Sequence, residues 1–102
     1  SKITADVTVT NDEFRKCYFD VILSNVESTE PVTAIECTVW EKDGTVALKT
    51  YQAKRQGDGT YLLRIKAMDF YYKTGTYRIL IYGQTENSPM MQMDEVFGEI
   101  TG

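Results

Sequence analysis

Histidine is absent from the 102-residue sequence, and its absence narrows the chemistry that the chain can perform. Histidine is the most frequent general base, the imidazole of hydrolytic triads and a common zinc ligand. The two cysteines, Cys17 and Cys37, therefore have no imidazole to activate them. Both fall on the inward phase of predicted strands, which favours buried, inert thiols. A disulfide between them is the alternative, although their offset positions are unfavourable for a bridge.

Carboxylates are the second group of residues that could do chemistry. Glycoside hydrolysis needs two acids that face each other across a cleft, and calcium takes about six to eight oxygen ligands. The acids considered for these roles, which lie in turns, in loops or at strand ends, are Asp12, Glu13, Glu27, Glu30, Asp58, Asp94 and Glu95. Acids in turns usually accept hydrogen bonds from the local backbone. We therefore predict no catalytic pair, no metal site and no cofactor, with calcium bound by turn acids as the alternative.

The aromatic residues, seven Tyr, four Phe and one Trp, form the most informative group. Strand alternation places Phe19, Tyr61 and Tyr77 inward, whereas Trp40 and Tyr82 project outward from neighbouring strands. The predicted binding face comprises Trp40, Tyr82, Leu80, Tyr51 and Arg78. An amphipathic aromatic surface of this kind suits stacking on sugar rings or anchoring of a protein partner. The alternative is that Trp40 packs against a loop, the last strand or an adjoining domain.

A second aromatic cluster, Phe70, Tyr71 and Tyr72, lies in a predicted crossing loop between Met68 and Gly75. At least one of the three side chains is expected to close the end of the core. Another would then be free to contact a ligand, which makes the cluster a second candidate binding site.

Length and composition bound the class of protein. A chain of 102 residues is expected to form one domain, residues 1–102, because domains usually contain about 100 to 200 residues. Its apolar fraction of 42% is typical of a globular chain. The net charge of −4 argues against nucleic acid as a partner, because such binding depends on neutralising phosphates. We see neither a signal peptide nor an apolar run long enough to span a membrane.

Alternation with period two, interrupted by turn residues, predicts the elements that position these side chains. We predict seven strands. Six of them lie at residues 5–10, 17–23, 35–40, 61–66, 77–82 and 92–101, and the remaining one, the fourth in chain order, follows the turn at residues 43–44. The polar segment 24–33 is predicted to be a loop, and the crossing loop to hold one helical turn. A turn is predicted at residues 56–59. Alternation does not settle the inward phase of the last strand.

The dipeptide Asp43-Gly44 stands between two strand-like runs, which predicts a two-residue type I′ hairpin. Both central residues of that turn require positive φ, and such a short loop determines the strand register. The predicted register places Val39 opposite Leu48 and Glu36 opposite Tyr51.

Seven short strands in this length predict an all-β fold, an immunoglobulin-like two-sheet antiparallel sandwich. Tyr77, which enters the sixth predicted strand after Gly75, matches the tyrosine corner of such folds. Ile79 stands two residues later, where antibody domains have a cysteine, so the inter-sheet disulfide is absent.

Three segments carry a resemblance to a known family. They are Val-Trp at 39–40, Gly-Asp-Gly-Thr-Tyr at 57–61 and Thr-Gly-Thr-Tyr at 74–77. In order and spacing they resemble the GBS Bsp-like repeat, most clearly from Val21 to about Gly83, within a repeat core of about residues 14–101. The chain differs from the family at Thr50, where an aromatic is common, at Arg78, where a histidine is common, and in lacking the crossing-loop histidine.

The resemblance implies an immunoglobulin-like module of secreted or cell-wall proteins of Gram-positive bacteria, beside peptidoglycan-cleaving or other hydrolase domains. We therefore expect a non-catalytic accessory module that spaces or tethers a neighbouring hydrolase domain. Its expected partners are the neighbouring domains of the parent chain, with weak contact to cell-wall glycan, peptidoglycan or a surface protein through the face that includes Trp40. The alternative is an adhesion or protein-interaction domain of a bacterial surface protein.

Overall fold

The computed structural model describes residues 2–10 and 18–101, and most of them lie in β-strands. The strands are β1 (Ile3–Thr10), β2 (Tyr18–Ser28), β3 (Val32–Glu41), β4 (Lys49–Gln52), β5 (Lys54–Arg55), β6 (Tyr61–Lys66), β7 (Gly75–Thr85) and β8 (Met91–Ile100). A 3-10 helix, Ala67–Phe70, follows β6 and is the helical turn predicted for the crossing loop. Residues 2–10 and 18–101 contain no helix that is long and apolar enough to cross a membrane.

The strands form two four-stranded antiparallel sheets. The first has the order β1-β2-β6-β5 and the second the order β4-β3-β7-β8. The fourth predicted strand is in fact two short strands in different sheets, so the described residues hold eight strands instead of seven. The chain changes sheets at Ala53, whose N–H donates to the carbonyl of Ile35 at 2.9 Å. The architecture is the predicted immunoglobulin-like sandwich.

One core fills the space between the two sheets, because alternate side chains of each strand point inward. The predicted inward phases of the second, third, fifth and sixth strands are confirmed. The buried residues of this core are Phe19, Val21, Leu23, Ile35, Cys37, Val39, Leu63, Ile65, Ala67, Phe70, Tyr77, Ile79, Ile81 and Ile100.

Tyr77 forms the predicted tyrosine corner. Its hydroxyl donates to the carbonyl oxygen of Lys73 at 2.6 Å, and its ring stacks on Phe70 at a centroid distance of 4.9 Å. Burial raises the pKa of Tyr77. The corner thus ties the loop after the 3-10 helix to the start of β7.

The prediction of a loop over residues 24–33 is wrong, because β2 continues to Ser28. A β-bulge makes this continuation possible: Thr4 lies opposite Glu27, but Asp6 lies opposite Ser24. Asn25 has a φ of 51° there, a conformation that asparagine tolerates better than most residues. Its side-chain amide donates to the carboxylate of Asp6 at 2.7 Å.

The predicted type I′ hairpin is also wrong. Gly44 is not among the residues with positive φ, and its N–H donates to the carbonyl of Glu41 at 2.9 Å. The connection between β3 and β4 runs from residue 42 to 48, and Cys37 lies opposite Tyr51. This register differs by one residue from the prediction, which moves each β4 side chain to the other face. The observed register buries part of Tyr51 and leaves Leu48 42% exposed.

The predicted turn at residues 56–59 is confirmed and joins β5 to β6. The N–H of Gln56 donates to the carbonyl of Thr60 at 2.7 Å, and Gly59 has a φ of 88°. The carboxylate of Asp58 accepts hydrogen bonds from the hydroxyl and the N–H of Thr60 at 2.7 and 3.0 Å. These two bonds lower the pKa of Asp58.

The structure settles the phase of the last strand. Gly98 and Ile100 are buried and Val96 is half-buried, whereas an irregularity near Met93 interrupts the alternation. A Cβ atom on Gly98 would lie within 2.8 Å of three ring carbons of Phe19. Glycine therefore allows the β8 backbone to approach this core ring.

Candidate functional site

The outer surface of the second sheet carries four of the five residues predicted for the binding face. Trp40 on β3 lies opposite Arg78 on β7, and Leu80 and Tyr82 follow on the same side of β7. All four are half-buried and alternate with core residues, so their predicted outward phase is confirmed. With Phe97 of β8, which lies opposite Arg78, they form what we call the Trp40 face.

Arg78 lies between two aromatic side chains in this face. Its guanidinium carbon is 5.1 Å from the centroid of the Trp40 ring, and its Nη1 is 3.5 Å from a carboxylate oxygen of Glu95. Phe97 lies across from Arg78 on the edge strand and is 47% exposed. Sequence reasoning missed Phe97 because the phase of the last strand was open. Gly98 and Phe97 are adjacent in β8 and point to opposite faces, so placing Gly98 inward would have placed Phe97 on the outer surface.

Two nitrogen atoms of the Trp40 face are buried without a hydrogen-bond acceptor in the described part of the chain. They are Nε1 of Trp40 and Nε of Arg78. An unsatisfied buried donor costs about 1–3 kcal/mol, which the attraction between guanidinium and indole partly offsets. Because the guanidinium occupies one side of the indole ring, a sugar could stack on that side only if Arg78 moved.

Tyr51, the fifth predicted member of the binding face, lies elsewhere. Because it is opposite Cys37, its side chain is on the inner side of the second sheet. Its hydroxyl donates to Asp69 Oδ2 at 2.7 Å and accepts the N–H of Lys66 at 3.4 Å. Burial and the bond to Asp69 raise the pKa of Tyr51. The prediction that Tyr51 lies on the binding face was wrong because β4 is shifted by one residue from the predicted register.

The second aromatic cluster, at residues 70–72, contains one core side chain and two exposed side chains, as predicted. Phe70 is buried in the core, while Tyr71 and Tyr72 are 95% and 62% exposed. Both exposed tyrosines have left-handed backbones, with φ values of 55° and 59°, which is uncommon for bulky residues. The N–H of Tyr72 donates to the carbonyl of Ala67 at 2.9 Å, which holds this turn in place. We call this pair the tyrosine tip.

Cys37 is a free, buried thiol. Burial raises its pKa to about 12, so the thiolate needed for nucleophilic chemistry is not populated near neutral pH. Cys17 lies outside the described residues, and the predicted alternative of a disulfide involves that residue.

Two of the acids considered for calcium, Asp58 and Glu30, already accept hydrogen bonds from other residues of the chain. Glu30 accepts hydrogen bonds from the Thr85 hydroxyl at 2.8 Å and the Asn87 amide at 3.0 Å. Within residues 2–10 and 18–101, no cluster of three or more His, Cys, Asp or Glu residues is arranged to hold a metal ion. Asp12 and Glu13, two of the acids considered for calcium, fall outside those ranges.

The fold and its outer surface define the chain as an immunoglobulin-like β-sandwich module. Residues 8–96 match the model of the GBS Bsp-like repeat. The chain belongs to this family, which confirms the resemblance seen in the sequence.

Two solved structures share the fold. One is a polysaccharide deacetylase from Bacillus cereus, with a TM-score of 0.75 and 13% identity over 94% of this chain and 30% of that chain. The other is a candidate polysaccharide deacetylase from Bacillus anthracis, with a TM-score of 0.74, 13% identity and the same two coverages. This chain thus spans about 30% of the length of each. No curated protein matches the sequence.

Proposed function

We propose that the chain is a non-catalytic accessory module of a secreted or cell-wall-associated bacterial protein, and that it spaces or tethers a neighbouring hydrolase domain. The observation that carries the proposal is that this fold recurs as about 30% of two chains described as polysaccharide deacetylases. The family assignment to a repeat and the buried, neutral Cys37 thiol support a role without chemistry of its own.

The Trp40 face is the proposed contact with the neighbouring domain. It presents a row of Trp40, Arg78 and Phe97 across three strands, with Phe97 on the edge strand 47% exposed. Aromatic and arginine side chains in one patch are typical of protein interfaces. Arg78 already lies over the indole ring, which favours this protein contact over sugar stacking at Trp40.

The test uses the parent chain, which contains the module and its neighbour. Deleting residues 1–102 should lower hydrolase activity on insoluble wall material and leave activity on a soluble oligosaccharide unchanged. Equal activities of the deleted and intact chains on both substrates would contradict the proposal.

A pair of single substitutions tests the interface. Phe97→Ser should make the interdomain linker more sensitive to limited proteolysis, because it weakens packing between the domains. Val46→Ser, which changes another exposed apolar residue outside the Trp40 face, is the matched control and should leave the cleavage rate unchanged. Equal cleavage rates for the two variants would show that the Trp40 face is not the interface.

The second candidate function is adhesion or protein interaction at a bacterial surface, and the tyrosine tip favours it. Two adjacent tyrosines, Tyr71 and Tyr72, are exposed in uncommon left-handed conformations at one end of the sandwich. Tyrosine is enriched in protein-binding surfaces because its ring is large and rigid. Under this function, replacing both tyrosines with serine should reduce binding of cells that display the parent protein to host-protein-coated surfaces. Phe97→Ser should not reduce it.

A further inference from the structure

A groove of about 600 Å³ lies at the side of the sandwich, where the chain passes from β4 to β5. Strand β5 pairs with β6 only at Tyr61 and Leu62. From Leu63 to Lys66, the edge of β6 that faces away from β2 pairs with no described strand. The hydroxyl of Tyr51 accepts the N–H of Lys66 there, in place of a neighbouring strand. The groove is therefore an opening between the edges of the two sheets, with Tyr51 in its wall.

The groove is positively charged although the protein is acidic. Four cationic side chains and one carboxylate line it: Lys49, Lys54, Arg64, Lys66 and Asp69. These groups give the groove a formal charge of +3, whereas the whole chain carries −4. A concave surface lined by one sign of charge attracts ligands of the opposite sign.

Two of the four cations have carboxylate partners and two do not. Arg64 Nε lies 2.8 Å from Asp20, and Lys49 Nζ lies 3.4 Å from Asp69. Lys54 and Lys66 are exposed and form no ion pair with any residue that the structure describes. Their two ammonium groups are thus available to bind anionic groups of a ligand.

Apolar surface lies beside these charges. The ring of Tyr51, the side chain of Leu62 and the 61% exposed side chain of Met68 all line the groove. The C–H faces of sugar rings pack against aromatic and aliphatic side chains of this kind. Because the Tyr51 hydroxyl is already bonded to Asp69 and Lys66, the ring is in position before a ligand arrives.

We propose that this groove binds a segment of an anionic glycan, with Lys54 and Lys66 contacting its carboxylate or phosphate groups. Tyr51, Leu62 and Met68 would contact its sugar rings. The open shape of the groove allows a polymer to pass through it instead of ending there. The choice of a glycan over another polyanion rests on the proposed function beside a polysaccharide-modifying domain.

The test measures binding of the 102-residue chain to four polymers at about 50 mM salt, where charge interactions are only moderately screened. Polygalacturonate supplies carboxylates, poly(glycerol phosphate) supplies phosphates, dextran is a neutral glycan and oligo(dT) is a polyanion that is not a glycan. We expect binding to one or both anionic glycans and none to dextran. The stronger of the two identifies the anionic group.

A charge-matched pair of double variants locates the site. Lys54→Gln with Lys66→Gln should lower the affinity by roughly tenfold, because two ion contacts are lost. Lys2→Gln with Lys42→Gln makes the same change in net charge at exposed lysines outside the groove and should change affinity by less than about twofold.

Three results would overturn the assignment. The first is an equal loss of affinity in the two double variants. The second is that neither anionic glycan binds, and the third is that oligo(dT) binds more tightly than both glycans. The deletion experiment on the parent chain is separate from this one. Glycan binding without an effect of deletion would overturn only the proposed function, whereas an effect of deletion without glycan binding would overturn only the groove assignment.

Discussion

The Tyr51 hydroxyl joins the two sheets at their open edge, and its removal should weaken the fold by a predictable amount. Tyr51→Phe keeps the ring but deletes the bond to Asp69 at 2.7 Å and the longer bond from the Lys66 N–H at 3.4 Å. A hydrogen bond to a charged group contributes about 1.5–3 kcal/mol, and a neutral one about 0.5–1.5 kcal/mol. Since the Asp69 side chain is 21% exposed and the second bond is long, we expect the free energy of unfolding to fall by about 2 kcal/mol.

The assay is urea denaturation followed by circular dichroism, on Tyr51→Phe, Asp69→Ala and the double variant. If the hydroxyl and the carboxylate interact, the double variant should lose about 1–2 kcal/mol less than the sum of the single losses. Tyr82→Phe is the matched control, because the Tyr82 hydroxyl has no hydrogen bond to any described residue. Its effect should stay within about 0.5 kcal/mol.

Two results would refute this reasoning. If Tyr51→Phe were no more destabilising than the control, the hydroxyl would not join the sheets. If the losses from Tyr51→Phe and Asp69→Ala were additive, the two groups would not be in contact.

Three further predictions concern the core and its titrating groups. Gly98→Ala should lower the melting temperature through an overpacking loss of about 1–3 kcal/mol, whereas Gly57→Ala, whose Cβ would meet nothing within 4 Å, should not. Tyr77→Phe deletes the corner bond and should cost about 1 kcal/mol in urea denaturation, so an unchanged midpoint would contradict the corner. The pKa values of Cys37, Tyr51 and Tyr77 are raised from ordinary values of 9.0 for the thiol and 10.0 for the phenols, mainly by burial. The unfolded chain therefore releases protons above about pH 9 that the folded chain retains. The free energy of unfolding should be constant from neutral pH to about pH 9 and then decline, less steeply in Cys37→Val.

Much of the sandwich could be predicted because its information is local. Alternation along β3 and β7 placed Val39 and Ile79 inside and Trp40 and Arg78 outside, since successive side chains of a strand point to opposite faces. The tyrosine corner was also predictable, because Tyr77 and its acceptor Lys73 are only four residues apart. Such features depend on neighbours in the chain and not on how distant strands pair.

Register and the joining of distant segments could not be predicted in this way. Asp43-Gly44 has the composition of a two-residue hairpin, but burial of Tyr51 against the core outweighs that local preference and shifts β4 by one residue. Asn25 likewise falls in a polar segment, yet a bulge paired with β1 keeps it within a strand. In both places, contacts made across the sheet decide between conformations that are locally similar in energy.

Alternation and turn chemistry act over a few residues, so the class of fold and the division of most aromatics into core and surface sets followed from the sequence alone, and the motifs in the sequence indicated the family. Strand pairing between distant segments places Phe97 beside Trp40 and Arg78, and it places Tyr51 in the wall of a basic groove instead of on their face. The lysines of that groove come from three strands in two sheets. Their charges combine only after the sheets have packed, so no local pattern in the chain could reveal them.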